Sequence, residues 1–104
     1  MTAAALGAGG STVFSVHPMC GPPAIYTTLG GSTNVLINGQ PAYRVTDLPV
    51  VHPTGIPPVC AAEALPLALG SPNVFVNGLA MGRVGDAHGC GGLVQTGSSN
   101  VLVN

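Results

Sequence analysis

Charged side chains are almost absent from this sequence. Its 104 residues include two arginines, three acidic residues and no lysine, so that 5% are charged, against about 25% in an average globular domain. Two arginines are too few for the basic surface that binds nucleic acid. A free soluble monomer usually carries a charged, mixed surface. We therefore expect that much of this surface is covered by another protein in the working state.

The sequence also lacks the segments that direct a chain into or through a membrane. No uninterrupted apolar run approaches the ~18 residues of a membrane helix. The N-terminal residues 1–5 lack the charged region of a signal peptide, so we expect cytoplasmic synthesis without signal-dependent export. An odd count of three cysteines argues against a disulfide framework. The length fits one domain, residues 1–104.

What the sequence does contain is a repeated motif. Gly70–Gly78 reads Gly-Ser-Pro-Asn-Val-Phe-Val-Asn-Gly, and close copies occur at Gly31–Gly39 and Gly97–Asn104. Each copy reads as a turn followed by a short β-branched strand, and the Asn-Gly that ends the first two copies in chain order is a strong signal for a two-residue hairpin turn. Second arms follow at Pro41–Asp47 and Ala80–Asp86, and both end in Arg-Val-x-Asp. We expect the arginine and the aspartate of each arm to form an ion pair.

The third copy ends where its second arm should begin. Cutting the chain at its histidines gives units of 17–51, 52–87 and 88–104, which leaves the N-terminal residues 1–16 to complete the third unit. We predict that the strand at 10–16 supplies the missing arm and covers the strand at 100–103. The expected fold is all-β: a pseudo-threefold domain of short hairpins, closed by pairing of its N- and C-terminal strands.

Helix is expected at one place only. The residues Cys60–Leu65 read as a single helical turn that Pro66 limits.

Each unit contains one histidine, and this suggests a metal site. If the three histidines occupy equivalent places, they converge on the pseudo-threefold axis as ligands of zinc or iron, and a cysteine can supply a fourth, sulfur donor. Cys90 is favoured because it shares a face with His88 in an extended segment. The alternative is that each histidine is an ordinary loop residue with a satisfied hydrogen bond. The predicted ligands are His17, His52, His88 and Cys90, with Cys20 or Cys60 as alternative sulfur donors.

The repeated motif, with Gly82–Asp86 and Cys90–Gly92 after it, resembles the PAAR-repeat proteins, and Pro41–Arg44 is this chain's form of the motif that names them. The resemblance covers nearly the whole chain. It implies a small β cone with a zinc near its tip, held by three histidines and one cysteine. It also implies a role as the cap of a trimeric β-helical spike, of the VgrG or phage central-spike type.

Such spikes belong to type VI secretion systems, contractile phage tails and related injection machines. The resemblance implies one copy per spike trimer at the machine's tip, outward delivery and a transient contact with the target membrane. A non-enzymatic protein is expected, because Asp47, Glu63 and Asp86 offer no good general base and a sulfur ligand would close the metal site. The alternatives are a small three-histidine metalloenzyme and a secreted adaptor that links effector cargo to the spike.

Overall fold

The computed structural model describes residues 1–14, 25–56, 59–89 and 92–104. Within these ranges the chain forms short β-strands and turns, with no helix that could cross a membrane. The strands are β1 Thr2–Ala3, β2 Thr12–Phe14, β3 Ile25–Thr27, β4 Leu36–Ile37, β5 Gln40–Pro41, β6 His52–Ile56, β7 Val59–Glu63, β8 Phe75–Val76, β9 Leu79–Ala80, β10 Leu93–Val94 and β11 Leu102–Val103.

The repeated motif folds into the predicted hairpins. Strands β4 and β5 pair across one Asn-Gly turn, and strands β8 and β9 pair across the other. Both residues of each turn have positive φ, at 54° and 78° for Asn38 and Gly39 and at 54° and 79° for Asn77 and Gly78. This is the backbone shape of a two-residue turn that matches the twist of its strands. The turn prediction is confirmed.

The N- and C-terminal strands pair, as predicted, and so close the fold. Strand β1 lies antiparallel to β11, with Thr2 opposite Val103 and Ala3 opposite Leu102. The predicted arm at 10–16 is wrong in its position, because Thr12–Phe14 forms β2 between β10 and β3 instead. The segment that completes the third unit is β1 with Ala4 after it, because Ala4 fills the fully buried place that Ala42 fills in the first unit.

A ring of three backbone hydrogen bonds joins the three units. The N–H of Ala5 donates to the carbonyl of Gly82 at 2.9 Å, that of Gly82 to Tyr43 at 2.8 Å, and that of Tyr43 to Ala5 at 3.2 Å. Each unit therefore donates to one neighbour and accepts from the other, which is the closed pseudo-threefold arrangement expected from the repeats.

The core is stacked along the pseudo-threefold axis. One buried cluster lies among the three hairpins; it comprises Ala4, Ala42, Val76, Met81 and Val103. A second cluster, which contains the ring residues Ala5 and Tyr43, also includes Leu67 and Val94. Small side chains dominate because three units approach one axis, and the larger Tyr43 is accommodated opposite Gly82.

The segment predicted as a helical turn is a strand. Val59–Glu63 forms β7, which pairs with β6 along its whole length, from Ile56 opposite Val59 to His52 opposite Glu63. An isolated helical turn is unstable in water because nucleation is costly. A continuous antiparallel ladder of five residue pairs satisfies the backbone better, so tertiary pairing overrides the local helical preference of its alanines.

The predicted ion pairs are present. Arg44 and Asp47 meet at 2.8 Å, and so do Arg83 and Asp86. The side-chain hydrogen bond to each aspartate is the main cause that raises the pKa of its arginine above the ordinary value. A group whose pKa is raised in the folded state contributes its full stabilisation at any pH below its ordinary pKa. The contribution is lost only as the pH rises through the folded-state pKa. Because both pKa values of an arginine lie far above neutral pH, these ion pairs are insensitive to pH in the neutral range.

Candidate functional site

Three strand edges of the same kind belong to the three repeated hairpin units, which side-chain hydrogen bonds join to one another. Strands β4, β8 and β11 each pair on one side only among the described residues. The three edges are related by the pseudo-threefold repeat, and we call them together the base. Unpaired strand edges are natural places for another chain to add its strands.

The hairpin register fixes which backbone groups point out of the base. The N–H of Ala42 donates to Val35, and that of Met81 donates to Val74, so the next pairs along, including Leu36 and Phe75, are not bonded to each other. In such a pair the N–H and C=O groups point away from the partner strand. Leu102 has the equivalent place in β11. The base therefore presents three equivalent pairs of backbone donors and acceptors.

The side chains of the base are apolar and uncharged. Leu36, Phe75 and Leu102 are 62%, 60% and 54% exposed. Their neighbours on the opposite strand face are only partly buried although they pack on the core; they are Val35, Ile37, Val74 and Val101. The base thus combines unpaired strand edges with exposed apolar side chains, and its strands contain no charged residue.

Asparagine and serine side chains join neighbouring hairpins at the base. The amide of Asn77 donates to Asn34 at 2.9 Å, and that of Asn38 donates to Asn100 at 2.8 Å. The hydroxyl of Ser32 donates to Asn77 at 2.6 Å, and Ser98 and Asn38 make the matching bond. These bonds hold the three edges in a fixed relation, so the base is organised before any partner binds.

The predicted metal donors lie mostly outside the described residues. His17, Cys20 and Cys90 fall in the undescribed ranges, as do the side chains of His52 and Cys60, although their backbones form part of β6 and β7. Among the described residues no three His, Cys, Asp or Glu side chains are grouped as a metal site would require. His88 is the one predicted donor with a described side chain.

His88 is buried and hydrogen-bonded at both ring nitrogens. His88 is 2% exposed. Its Nε2 lies 2.8 Å from the Tyr43 hydroxyl, and its Nδ1 lies 3.0 Å from the Gly92 carbonyl oxygen. The Tyr26 ring meets it edge-on at a centroid distance of 6.5 Å. A carbonyl at Nδ1 is typical of metal-bound histidines, but the nitrogen that would then bind the metal faces Tyr43.

The place of His88 in the repeat differs from the expected equivalence of the histidines. Leu67 bridges His88, and in the first unit the equivalent Thr28 bridges Pro49. His88 therefore corresponds to Pro49, and His52 lies three residues further along its own unit. The sequence signal for this difference is the spacing between each histidine and the aspartate that ends the preceding second arm. His52 comes five residues after Asp47, whereas His88 comes two residues after Asp86.

Sequence reasoning missed Tyr43 as the partner of His88. It also missed the role of serine in the turns before the base strands, where Ser32, Ser71 and Ser98 accept backbone N–H bonds. The recurrence of Gly-Ser before each Asn-Val strand was the available signal, since serine hydroxyls commonly bond to nearby backbone groups.

Comparison with known proteins agrees with this architecture. The family model described as the PAAR motif matches residues 23–96. The chain is 33% identical over 89 residues to the NAD(P)(+) glycohydrolase toxin Tse6 of Pseudomonas aeruginosa strain PAO1, and equally to the (p)ppApp synthetase toxin Tas1 of Pseudomonas aeruginosa strain UCBPP-PA14. Each match covers 78% of this chain and 19% of the relative. The chain thus spans about a fifth of the length of these curated relatives.

Proposed function

The chain belongs to the PAAR-motif family, and from this premise we propose that it is a non-enzymatic spike-tip protein of a contractile injection machine, of the kind found in type VI secretion. It caps the blunt end of a trimeric β-helical spike of the VgrG or phage central-spike type. It is made in the cytoplasm, assembled at the machine's tip and carried outward, where it meets the target membrane transiently.

The observation that carries this proposal is the threefold base. A trimeric β-helix ends in three equivalent strand edges, and one copy of this chain offers three equivalent edges on β4, β8 and β11. Backbone groups of Leu36, Phe75 and Leu102 point out of the base and can continue the strands of the spike. Main-chain pairing fixes the orientation, and burial of the exposed apolar side chains contributes ~25 cal/mol per Å² before the cost of association.

Lysine substitutions in the base test the proposal. Leu36→Lys, Phe75→Lys and Leu102→Lys change side chains that are more than half exposed, so the fold should be kept. Each is expected to weaken binding to a trimeric β-helical spike about tenfold, because an ammonium group must lose its water against an apolar interface, and ~1.4 kcal/mol is a factor of ten. Biolayer interferometry with the purified spike measures the dissociation constants.

Leu69→Lys is the matched control for this experiment. Leu69 is 58% exposed but lies outside the base strands, so its substitution adds the same charge without touching the proposed interface. Binding should remain at the wild-type level. Equal loss of binding in the control and in the base variants would contradict a contact through the base.

The proposal includes a structural zinc, with iron as an alternative, that ties the tip together. Imidazole and thiolate are the donors of closed structural zinc sites. They would come from His17, His52 and a cysteine, with Cys90 first and Cys20 or Cys60 as alternatives. His88 could join them only by exchanging its bond to Tyr43 for a bond to the ion. When bound, the ion supplies folding energy where few residues are available for a core.

Metal content and stability test this part of the proposal. Purified protein should contain about one zinc or iron per chain by elemental analysis. His52→Ala should lose the ion and melt at a markedly lower temperature, because a structural site contributes folding energy. Folded wild-type protein that contains no transition metal would contradict the zinc, while leaving the proposed spike contact to its own binding test.

A second role, as an adaptor that links effector cargo to the spike, is favoured by the relatives. Both are named as toxins and are about five times as long as the matched share of this chain. Co-purification of the spike complex with an effector would support this role, and the base would serve as the docking surface in either case.

A further inference from the structure

We infer that His88 is not a ligand of the proposed metal but a positioning residue, a buried hydrogen-bond bridge that ties Tyr43 to Gly92, the residue directly before β10. The part of this inference that concerns ligands rests on the proposed zinc. The part that concerns the bridge rests on the geometry of the described residues alone.

The bridge joins two different units of the fold. Tyr43 belongs to the backbone ring on the pseudo-threefold axis, and Gly92 directly precedes β10. The His88 backbone N–H also donates to the Gly92 carbonyl, at 2.8 Å. Residue 92 is thus held by the main chain and the side chain of His88 together.

One neutral form of the histidine satisfies the contacts of both ring nitrogens. With the proton on Nδ1, the ring donates to Gly92, and Nε2 accepts from the Tyr43 hydroxyl. The hydroxyl also lies 3.1 Å from the carbonyl oxygen of Asp47, which is the alternative acceptor for its single proton. We assign the proton to the shorter contact, because the Nε2 of a neutral ring that donates from Nδ1 can only accept.

A metal ion at Nε2 does not fit this arrangement. Zinc binds imidazole at ~2.0–2.1 Å along the lone pair of the nitrogen. That direction is occupied by the Tyr43 oxygen at 2.8 Å, and Tyr43 is itself fully buried. Coordination would expel a buried hydroxyl from its bond to the histidine.

The repeat gives independent support for a core role. In the first unit the position equivalent to His88 is Pro49, because Pro49 bridges Thr28 as His88 bridges Leu67. In the N-terminal arm it is Ser11, which comes two residues after Gly9 as His88 comes two residues after Asp86. Both are fully buried, and neither is a metal ligand type that zinc prefers. The position is thus a core position in every unit.

A consequence for the proposed zinc follows from counting donors. Without His88 the sequence has two histidines left, His17 and His52. Four protein ligands of the usual nitrogen and sulfur types then require two cysteine thiolates. The site would have two nitrogen and two sulfur donors in place of the three and one expected from the histidine count.

The test uses the full chain with three variants and a labelled wild type. His88→Gln, Tyr43→Phe and the double variant are compared in metal per chain and in melting temperature. Both single variants should keep the wild-type metal content and melt about 4–8 °C lower. Their effects should not add in the double variant, because each removes the same bond. His52→Ala is the comparison for a lost ligand.

Wild-type protein labelled with ¹⁵N and loaded with ¹¹³Cd provides a direct view of the ligands. Scalar coupling between cadmium and a ring nitrogen should be seen for true histidine ligands and not for His88, whose Nδ1 should carry the proton. Coupling to His88, or loss of the metal from a folded His88→Gln variant, would overturn the inference. Additive melting effects would overturn the bridge whether or not the protein binds metal, so failure of the zinc proposal remains distinguishable.

Discussion

At the scale of single residues, equivalent positions solve the same hydrogen-bonding problem with different side chains. The backbone N–H groups of Arg44 and Arg83 donate to the carboxylates of Asp47 and Asp86, each at 2.8 Å. The equivalent N–H in the N-terminal arm belongs to a leucine, Leu6, and donates at 2.8 Å to the buried hydroxyl of Ser11. What is repeated is the satisfied N–H group, since an unpaired one in the core costs ~1–3 kcal/mol.

Gly82 is a backbone-ring residue at which the units approach one another closely. A Cβ there would lie 2.7 Å from the Leu67 side chain and 2.9 Å from the Tyr43 carbonyl. Gly82→Ala should therefore destabilise the protein by ~1–3 kcal/mol, as overpacking does, and thermal or denaturant melting measures it.

Gly89→Ala is the control, since the nearest atom to its added Cβ is 3.6 Å away. Its effect should stay within ~0.5 kcal/mol. Equal stability of the two variants would mean that the backbone ring is not tightly packed at Gly82.

At the scale of elements, β1 is the piece that turns three hairpins into a closed fold. It covers β11, and the residues after it, Ala4 and Ala5, fill the core and complete the backbone ring. Without this strand, both edges of β11 would be unpaired, and exposed strand edges promote aggregation.

Deleting residues 1–5 should therefore give an unfolded or insoluble protein. The loss of β1, two core alanines and two of the three ring bonds removes contacts in all three units. Circular dichroism, thermal melting and soluble yield measure the effect. Deleting Met1 alone is the control, since this residue is 82% exposed. A truncated protein with wild-type melting and solubility would show that the terminal strand is dispensable.

The sequence predicted the elements whose signals are local and missed those set by register. Both Asn-Gly hairpins could be predicted because the turn chemistry lies in adjacent residues. The closing arm could not be placed because Thr2–Ala3 lacks the Arg-Val-x-Asp signature of the other two arms. The helical turn predicted from Cys60 failed because this segment pairs with β6, and the two residues between the strands, Pro57 and Pro58, carry no Asn-Gly or Asp-Gly hairpin signal.

The candidate site shows the same limit. The base strands lie where the repeats put them and contain no charged residue, while the covering of this surface by another protein, expected from the low charge, stays a prediction. The presumed equivalence of His52 and His88 came from counting one histidine per unit, whereas strand pairing places His88 opposite Leu67. A shift of a few residues along an irregular loop changes which side chain faces the core, and composition does not record it.

At the scale of the whole molecule, internal repetition lets one chain present threefold symmetry. The molecule is elongated, with extents of 41 × 23 × 22 Å, and its base has three related strand edges. A single chain can make the same contact with all three chains of a symmetric trimer only if it offers the contact surface three times, as the base does. Net charge is only −1, so electrostatic attraction contributes little to the proposed contact.

The most direct test of the central claim is the mass of the complex with the spike, measured by light scattering or native mass spectrometry at low and high salt. We expect one copy of this chain per spike trimer, unchanged at ~1 M salt, where screening reaches ~3 Å, because the base carries no charged side chain. Three copies per trimer, or dissociation at ~1 M salt, would contradict a single threefold base that binds through apolar and main-chain contacts.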